Sequence, residues 1–573
     1  MASNTATVHK DAVHQAPSDY YNLGSYSRPI TAANTDAQLW FDRGLVWSFA
    51  FNHEEAAACF QKAIDSDPDC PMAYWGLAYT LGPNYNKPWD FFDPDELEHI
   101  VARTHAAVET AREKAATTGS PVEQALIYAL ESRYPHGSTD HAGQTTEWNV
   151  RYAEAMAKVH NSFPEDLDVA ALFADALMNL TPWQLWDLPS GQPAEHARTL
   201  EAKAILDQAL AQPGGMQHPG LLHLYIHLME MSATPEQALP AADHLRGLVP
   251  DAGHLQHMPS HIDVLLGDYQ RGIESNQAAI VADEKYLERV GPLKFYTLYR
   301  MHDYHFRIYC AMFAGRRAVA LETAEQMSAS LSPDLLKVKS PPMADWLEGF
   351  ASIRLHVLVR FGMWNEITNS LALPEDENLY CVTTAMTHYA KAVAYAALGD
   401  VASADTSRDA FTAAREKVPE TRMLFNNKCV DILGVASHML DGELEYRKGN
   451  YEPAFSTLRA AIAKCHALPY DEPWGWMQPP CHALGALLLE QSRHEEAARV
   501  YADDLGISNT LPRALQHPKN VWALHGYHEC LVKLDKGEEA QAIQSELDTA
   551  LKGADVVIKA SCYCRRVADS GAK

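Results

Sequence analysis

The chain has 573 residues, 47% of them apolar, with 74 acidic side chains against 47 basic ones and a formal net charge of −27. That length allows several domains or one long repeat array around a large core. So acidic a chain is repelled by nucleic-acid backbones and by anionic membranes, which removes both as expected partners.

Residues 1–36 are polar, hold no apolar stretch of signal-peptide length, and read as an extended N-terminal arm with little structure of its own. No uninterrupted apolar run in the chain approaches the roughly 18 residues of a membrane helix. The ten cysteines form no CxxC framework, the closest feature being Cys562-Tyr563-Cys564. The expectation is reduced thiols in a cytoplasmic protein.

From residue 37 to about residue 552, Ala-rich segments with apolar residues at i, i+3, i+4 and i+7 alternate with short breaks such as DSDPDCP, LPEDEN and RKGNYEP. Strand-like alternation is scarce. The pattern predicts an all-α chain of antiparallel helix pairs. The clearest pair is Ala37–Pro68, with Trp40, Gly44 and Trp47 on its first helix and Ala56, Phe60 and Ala63 on its second. Gly44 and Ala56 suit a close helix crossing, the aromatic residues suit the seam, and Pro68 cannot continue the ladder. These residue types at these places resemble a tetratricopeptide repeat of about 34 residues. The resemblance implies a superhelical solenoid.

The same frame recurs at Leu398–Gly399–Asp400, at Gly442, Gly449, Tyr451, Ala454 and Ala461, at Gly485, Ala497 and Tyr501, and at Trp522 and Gly526. Residues 83–200 fit it poorly and are expected to form longer, irregular helical pairs. Residues 553–573 read as a C-terminal tail.

Residues 219–310 carry the chemistry. Ala238 and Pro250 set one repeat to start at Pro219, and the turn Gly267–Tyr269 independently sets the next to start at Gly253. His223 and His227 then take the fifth and ninth places of the first, and His257 and His261 the same places of the second, 34 residues later. His254 takes the second place. In a third copy starting at Met301, His302 and His305 take places two and five. Residues three and four apart share a helix face, and packed helices sit about 8–10 Å apart. Seven imidazoles should therefore approach one another, joined by Glu230, which lies three residues after His227 on the same face. In tetratricopeptide arrays these places face the concave groove, so the resemblance implies a common cavity.

The segments HPGLLHLYIHLME, AGHLQHMPSHI, HDYHF and LPYDEPWGW resemble a group of large bacterial and fungal tetratricopeptide-repeat proteins in which such a histidine set recurs. The resemblance supports fold and site; it implies no particular reaction.

Crowded imidazoles are costly unless their lone pairs find a donor or a cation. The set therefore reads as a metal site of His223, His227, His254, His257, His261, His302 and His305. Imidazole suits Cu, Fe and Zn, and seven histidines leave room for two ions. Cu or Fe is the expectation ahead of Zn, with oxidation or oxygenation of a small, possibly aromatic, organic molecule. Glu230, Tyr304 and Tyr309 are the candidate proton-handling residues. The alternatives are a zinc-dependent hydrolase, a metal store, and a scaffold binding a peptide in the groove. His53 is assigned to a helix start and Asp303 to a direction off the histidine face. LPYDEPWGWMQPPCH, which ends at His482, is a candidate pocket wall. The oligomeric state is left open.

Overall fold

Helix starts in the first repeat are written in its asparagines. Asn34 Oδ1 accepts from the Ala37 amide at 2.9 Å and opens the helix Thr35–Phe49. Asn52 Oδ1 accepts from the Glu55 amide at 3.2 Å and opens His53–Ser66. Each cap satisfies an amide that the helix itself leaves unpaired. The protein is described here by a computed structural model covering residues 20–566.

Packing of the repeats turns on glycine. Phe60 is fully buried between Gly44 and Gly76, where an added Cβ would come within 2.8 and 2.2 Å of its ring. Tyr501 repeats the device between Gly485 and Gly526, each leaving a Cβ only 2.4 Å of room. One aromatic side chain of a second helix thus locks into the glycines of the two first helices flanking it. Burying such a ring contributes about 1.5–3 kcal/mol.

The expected pairs follow along the chain: Cys381–Leu398 with Val401–Arg415, Cys429–Arg447 with Tyr451–His466, Pro480–Glu490 with His494–Asp504, and Val521–Lys533 with Gly537–Leu551. Gly399 and Gly449 make their turns with φ of 91° and 85°. The segment 83–200 contains the 25-residue helix Pro94–Thr118, three shorter α-helices, two 3-10 turns and a two-residue antiparallel ladder, Trp186–Asp187 with Gln192–Pro193. Among the described residues the fold is an all-α solenoid with two such minimal ladders.

The buried side chains form two large cores. One runs from Tyr21 to Tyr299, the other from Tyr269 to Cys564. The histidine helices lie where the two meet. A small third cluster of Met231, Tyr470, Trp474, Ala514 and Leu515, with Trp183 and Trp186 against it, covers that junction.

The ends are docked. Residues 20–34 carry no helix, but Tyr21 and Leu23 are buried, and the Arg28 guanidinium pairs with Asp166 at 2.8 Å and Asp168 at 2.7 Å. At the other end Ser561 is buried, donating to the His482 carbonyl and accepting from Arg360 at its own carbonyl, at 2.9 and 2.7 Å. Cys562 and Cys564 are joined to each other, which departs from the expectation of reduced thiols there; the other eight cysteines are free and buried. No helix among the described residues is long and apolar enough to cross a membrane.

Candidate metal centre

Three stretches of helix deliver the histidines. The first is Pro219–Glu230. Gly220 lets it press on the first repeat, because a Cβ there would stand 2.6 Å from the Phe49 ring. The second is broken in two, Gly253–His257 and Pro259–Leu266. Pro259 has no N–H for the ladder, so the helix kinks at Met258, yet His257 and His261 still share a face. The third is Thr297–Phe313.

Six of the seven expected histidines meet. His223, His227 and His254 form one group and His257, His261 and His302 another, with potential ligand atoms in each group within 4.8 Å of one another. The groups touch: ring centroids of His227 and His261 are 5.6 Å apart, and those of His254 and His257 5.7 Å. None of the six is more than 6% exposed.

Hydrogen bonds behind the rings set their tautomers. The Nδ1 of His223 lies 2.6 Å from the Phe49 carbonyl oxygen, which can only accept, so Nδ1 carries the proton. The Nδ1 of His257 lies 2.6 Å from Asn276 Oδ1, an orientation fixed because Asn276 Nδ2 donates to the Gly272 carbonyl. Glu230 takes the Nδ1 atoms of two rings, His227 at 3.0 Å and His261 on its other oxygen. One carboxylate therefore holds a histidine from each group. Four rings are left with bare Nε2 atoms. Those of His223 and His227 have no hydrogen-bond partner, and His254 lacks a partner at either nitrogen. Those of His257 and His261 face each other at 2.7 Å.

Burial removes the charged option. Desolvation pulls His227 and His257 down to about 3 and puts His223, His254, His261 and His302 well below the ordinary imidazole range, with neighbouring histidines adding to the effect. Neutral imidazoles, four of the six held from behind at Nδ1, suit a transition-metal site. The His257 and His261 Nε2 atoms, 2.7 Å apart, are close enough to share a proton or to converge on a cation.

Three aromatic rings are held against the cluster at a backbone cost. Phe51, Trp183 and Phe425 have φ of 55°, 62° and 46°. Bulky residues avoid this left-handed region, at about 1–3 kcal/mol each. Phe51 lies over His223 at 4.4 Å, Trp183 stands on His227 at 6.1 Å, and Phe425 on His302 at 4.9 Å. Phe51 occupies the left-handed turn position that Gly399 and Gly449 fill in other helix pairs, whereas Trp183 and Phe425 lie in irregular segments.

Other expected residues stand apart. His305 is fully buried beside Phe350 and His356 and shares no ligand-distance group with the other six. The Tyr304 hydroxyl is directed to Ser330, away from the cluster. Tyr309 stacks on Phe313 and lines a second pocket of about 420 Å³ that reaches His261. Asp303 does leave the histidine face, but it stands behind it, with Oδ1 3.5 Å from His257 Nδ1. His53 begins its helix, and its ring reaches Asn84. His482 belongs to a separate buried network, bonded to Asp504 at 2.9 Å.

The segment LPYDEPWGW does form a wall. Asp471 and Glu472 line both the second pocket and a larger one of about 770 Å³ whose floor is His302. Glu472 lies against Glu230, and desolvation first, then Glu230, pushes its carboxyl well above the usual range. Glu472, Asn276 and the Phe49 carbonyl are far from the histidines in sequence. Only Glu472 had a local signal, the aromatic, Pro-rich segment that carries it.

Comparison with known proteins agrees with this architecture. A tetratricopeptide-repeat family model matches residues 37–70. No curated protein is significantly similar in sequence. Similar solved structures include Ypp1, at 9% identity over 92% of this chain and 82% of that one, TM-score 0.41. They also include an APC/C hetero-tetramer of Cut9 and Hcn1 at 12% identity over 83% and 74%, TM-score 0.31. Yeast Tom70 is similar at 12% identity over 89% and 90%, TM-score 0.24. The chain carries a tetratricopeptide repeat at residues 37–70, and its glycine-and-aromatic helix pairs repeat that arrangement along an all-α solenoid.

Proposed function

We propose that the chain is a metal-dependent enzyme in which the two three-histidine groups hold transition-metal ions and act on a small organic molecule admitted beside His302. The contact that carries this reading is the 2.7 Å approach of the His257 and His261 Nε2 atoms, with the Nδ1 of each ring turned away to Asn276 and Glu230. With six histidines against one carboxylate at the junction, the donor set favours Cu or Fe ahead of Zn. Bound there, such ions would supply redox chemistry with dioxygen as the oxidant. The residues do the rest: Glu230 keeps the two groups in register, the strained rings exclude water, and Glu472 offers a carboxyl at the edge of the pocket. A groove that reads peptides has to be open. These histidines are buried, which disfavours the scaffold reading at this particular site.

The test is metal content of untagged protein with an EPR spectrum. The expectation is one to two ions per chain with a Cu(II) or high-spin iron signal. His227→Ala and His261→Ala should each lower uptake, and the double variant should abolish it, while leaving the helical circular dichroism intact. Uptake unchanged in both variants overturns the assignment, and a stoichiometric but EPR-silent zinc content moves the chemistry to hydrolysis.

A further inference from the structure

The pocket above His302 has aromatic walls and one acidic edge. Trp183, Phe295, Tyr299, Trp346 and Phe425 supply the rings, and Phe295 meets Trp346 edge-on at 5.6 Å. Asp471 and Glu472 supply the edge, and no Lys or Arg is among the lining residues. The nearest lysine, Lys87, sits behind the wall, over the Phe295 ring at 4.3 Å and paired with Glu96.

The two acids differ. Asp471 is engaged: Asn427 Nδ2 donates to it at 2.9 Å and the Glu472 amide at 3.2 Å. Glu472 is 5% exposed, and neither of its oxygens completes a hydrogen bond of normal geometry, although Glu230 and Tyr470 lie near. A buried carboxyl without partners is expensive. A ligand bringing an O–H or N–H to it lowers that cost. A ligand bringing another carboxylate places a third acid beside Asp471 and Glu472 with no basic side chain to offset it.

We propose that this pocket binds an uncharged or cationic aromatic ring bearing a hydroxyl or amino group, stacked among the wall rings and donating its O–H or N–H to Glu472. The ring edge then faces His302. Calling the ligand a substrate rests on the metal-centre reading; the ligand class itself does not.

The test is titration of the full chain, both chelator-stripped and metal-loaded, with phenol, aniline, toluene and benzoate, followed by calorimetry. Metal content is measured on the same samples. Phenol and aniline should bind about tenfold more tightly than toluene and benzoate in both forms, the value of one hydrogen bond to such a group. Glu472→Leu should bring phenol down to the level of toluene, while retained toluene binding shows the pocket intact. Benzoate binding as well as phenol, discrimination surviving in Glu472→Leu, or no binding of any probe overturns the proposal. If phenol selectivity holds but no metal is taken up, the metal-centre reading fails and the ligand class stands. Metal uptake without aromatic selectivity is the reverse outcome.

Discussion

Glu230 reaches one histidine of each group, so both of its oxygens are in use. Glu230→Gln preserves shape but turns one acceptor into a donor, so one of the two Nδ1–H groups loses its bond. Partners behind metal ligands typically carry 10–100-fold in affinity. Competition with a chelator should show a loss of about that size, with unchanged circular dichroism; affinity equal to wild type would remove Glu230 from its role. Glu443 is a different case. Burial pushes its carboxyl up to about 7, against the opposing pull of Arg447. The ordinary unfolded value is about 4.3. With the folded value raised, the stability contribution is full below about pH 4 and is lost as pH rises through 7. Glu443→Gln should therefore flatten the fall in thermal midpoint between pH 5 and pH 9, with a gain at high pH on the order of 3 kcal/mol. Parallel pH profiles for variant and wild type would contradict this.

At the scale of helices, the same steric device does two jobs. Gly526 gives Tyr501 its slot, whereas Gly220 lets Pro219–Glu230 approach Phe49, whose carbonyl holds His223. Gly220→Val and Gly526→Val both overpack a tight contact and should each lower the thermal midpoint, by about 1–3 kcal/mol equivalent. Only Gly220→Val should also weaken metal retention, because only there does the displaced helix carry ligands. Equal retention in the two would separate the helix approach from the site.

The 34-residue step between His223 and His257, and between His227 and His261, was legible in the sequence because a repeat converts spacing into shared direction. Three-helix convergence of six rings followed from it. His305 follows the same spacing yet lies outside the groups, beside His356, and Tyr304 turns to Ser330. Spacing fixes a helix face but not the turn of the solenoid at which that face meets its neighbour. Asn276, Glu472 and the Phe49 carbonyl were illegible for another reason: they arrive from the second helix of the same repeat, a loop and another repeat, with no local pattern pointing inward. The rings of Trp183 and Phe425 come likewise from irregular segments, where no periodicity exists to read.

At the scale of the whole molecule, the first and last described segments are both docked on the solenoid. Burial alone would raise the Asp168 carboxyl, but His218 and Arg28 outweigh it and hold it well below the usual range. A depressed carboxylate stabilises above its unfolded pKa, near 3.9, and that contribution disappears as pH falls below it. Docking of the arm should therefore fail in acid. Protease cutting near Arg28 should rise sharply below about pH 4, and Asp168→Asn should be cut already at neutral pH. Cutting that is independent of both would show that the arm is held by its apolar contacts alone.

The histidine helices end by residue 313, whereas the wall that closes over them, from Leu468 to Trp476, comes more than 150 residues later along the chain. During synthesis the rings can assemble while most of the second core is still to be made. For that interval the site is open to solvent from the side that Glu472 later covers. Whatever the site takes up has a time window for entry that closes when the C-terminal half folds onto it.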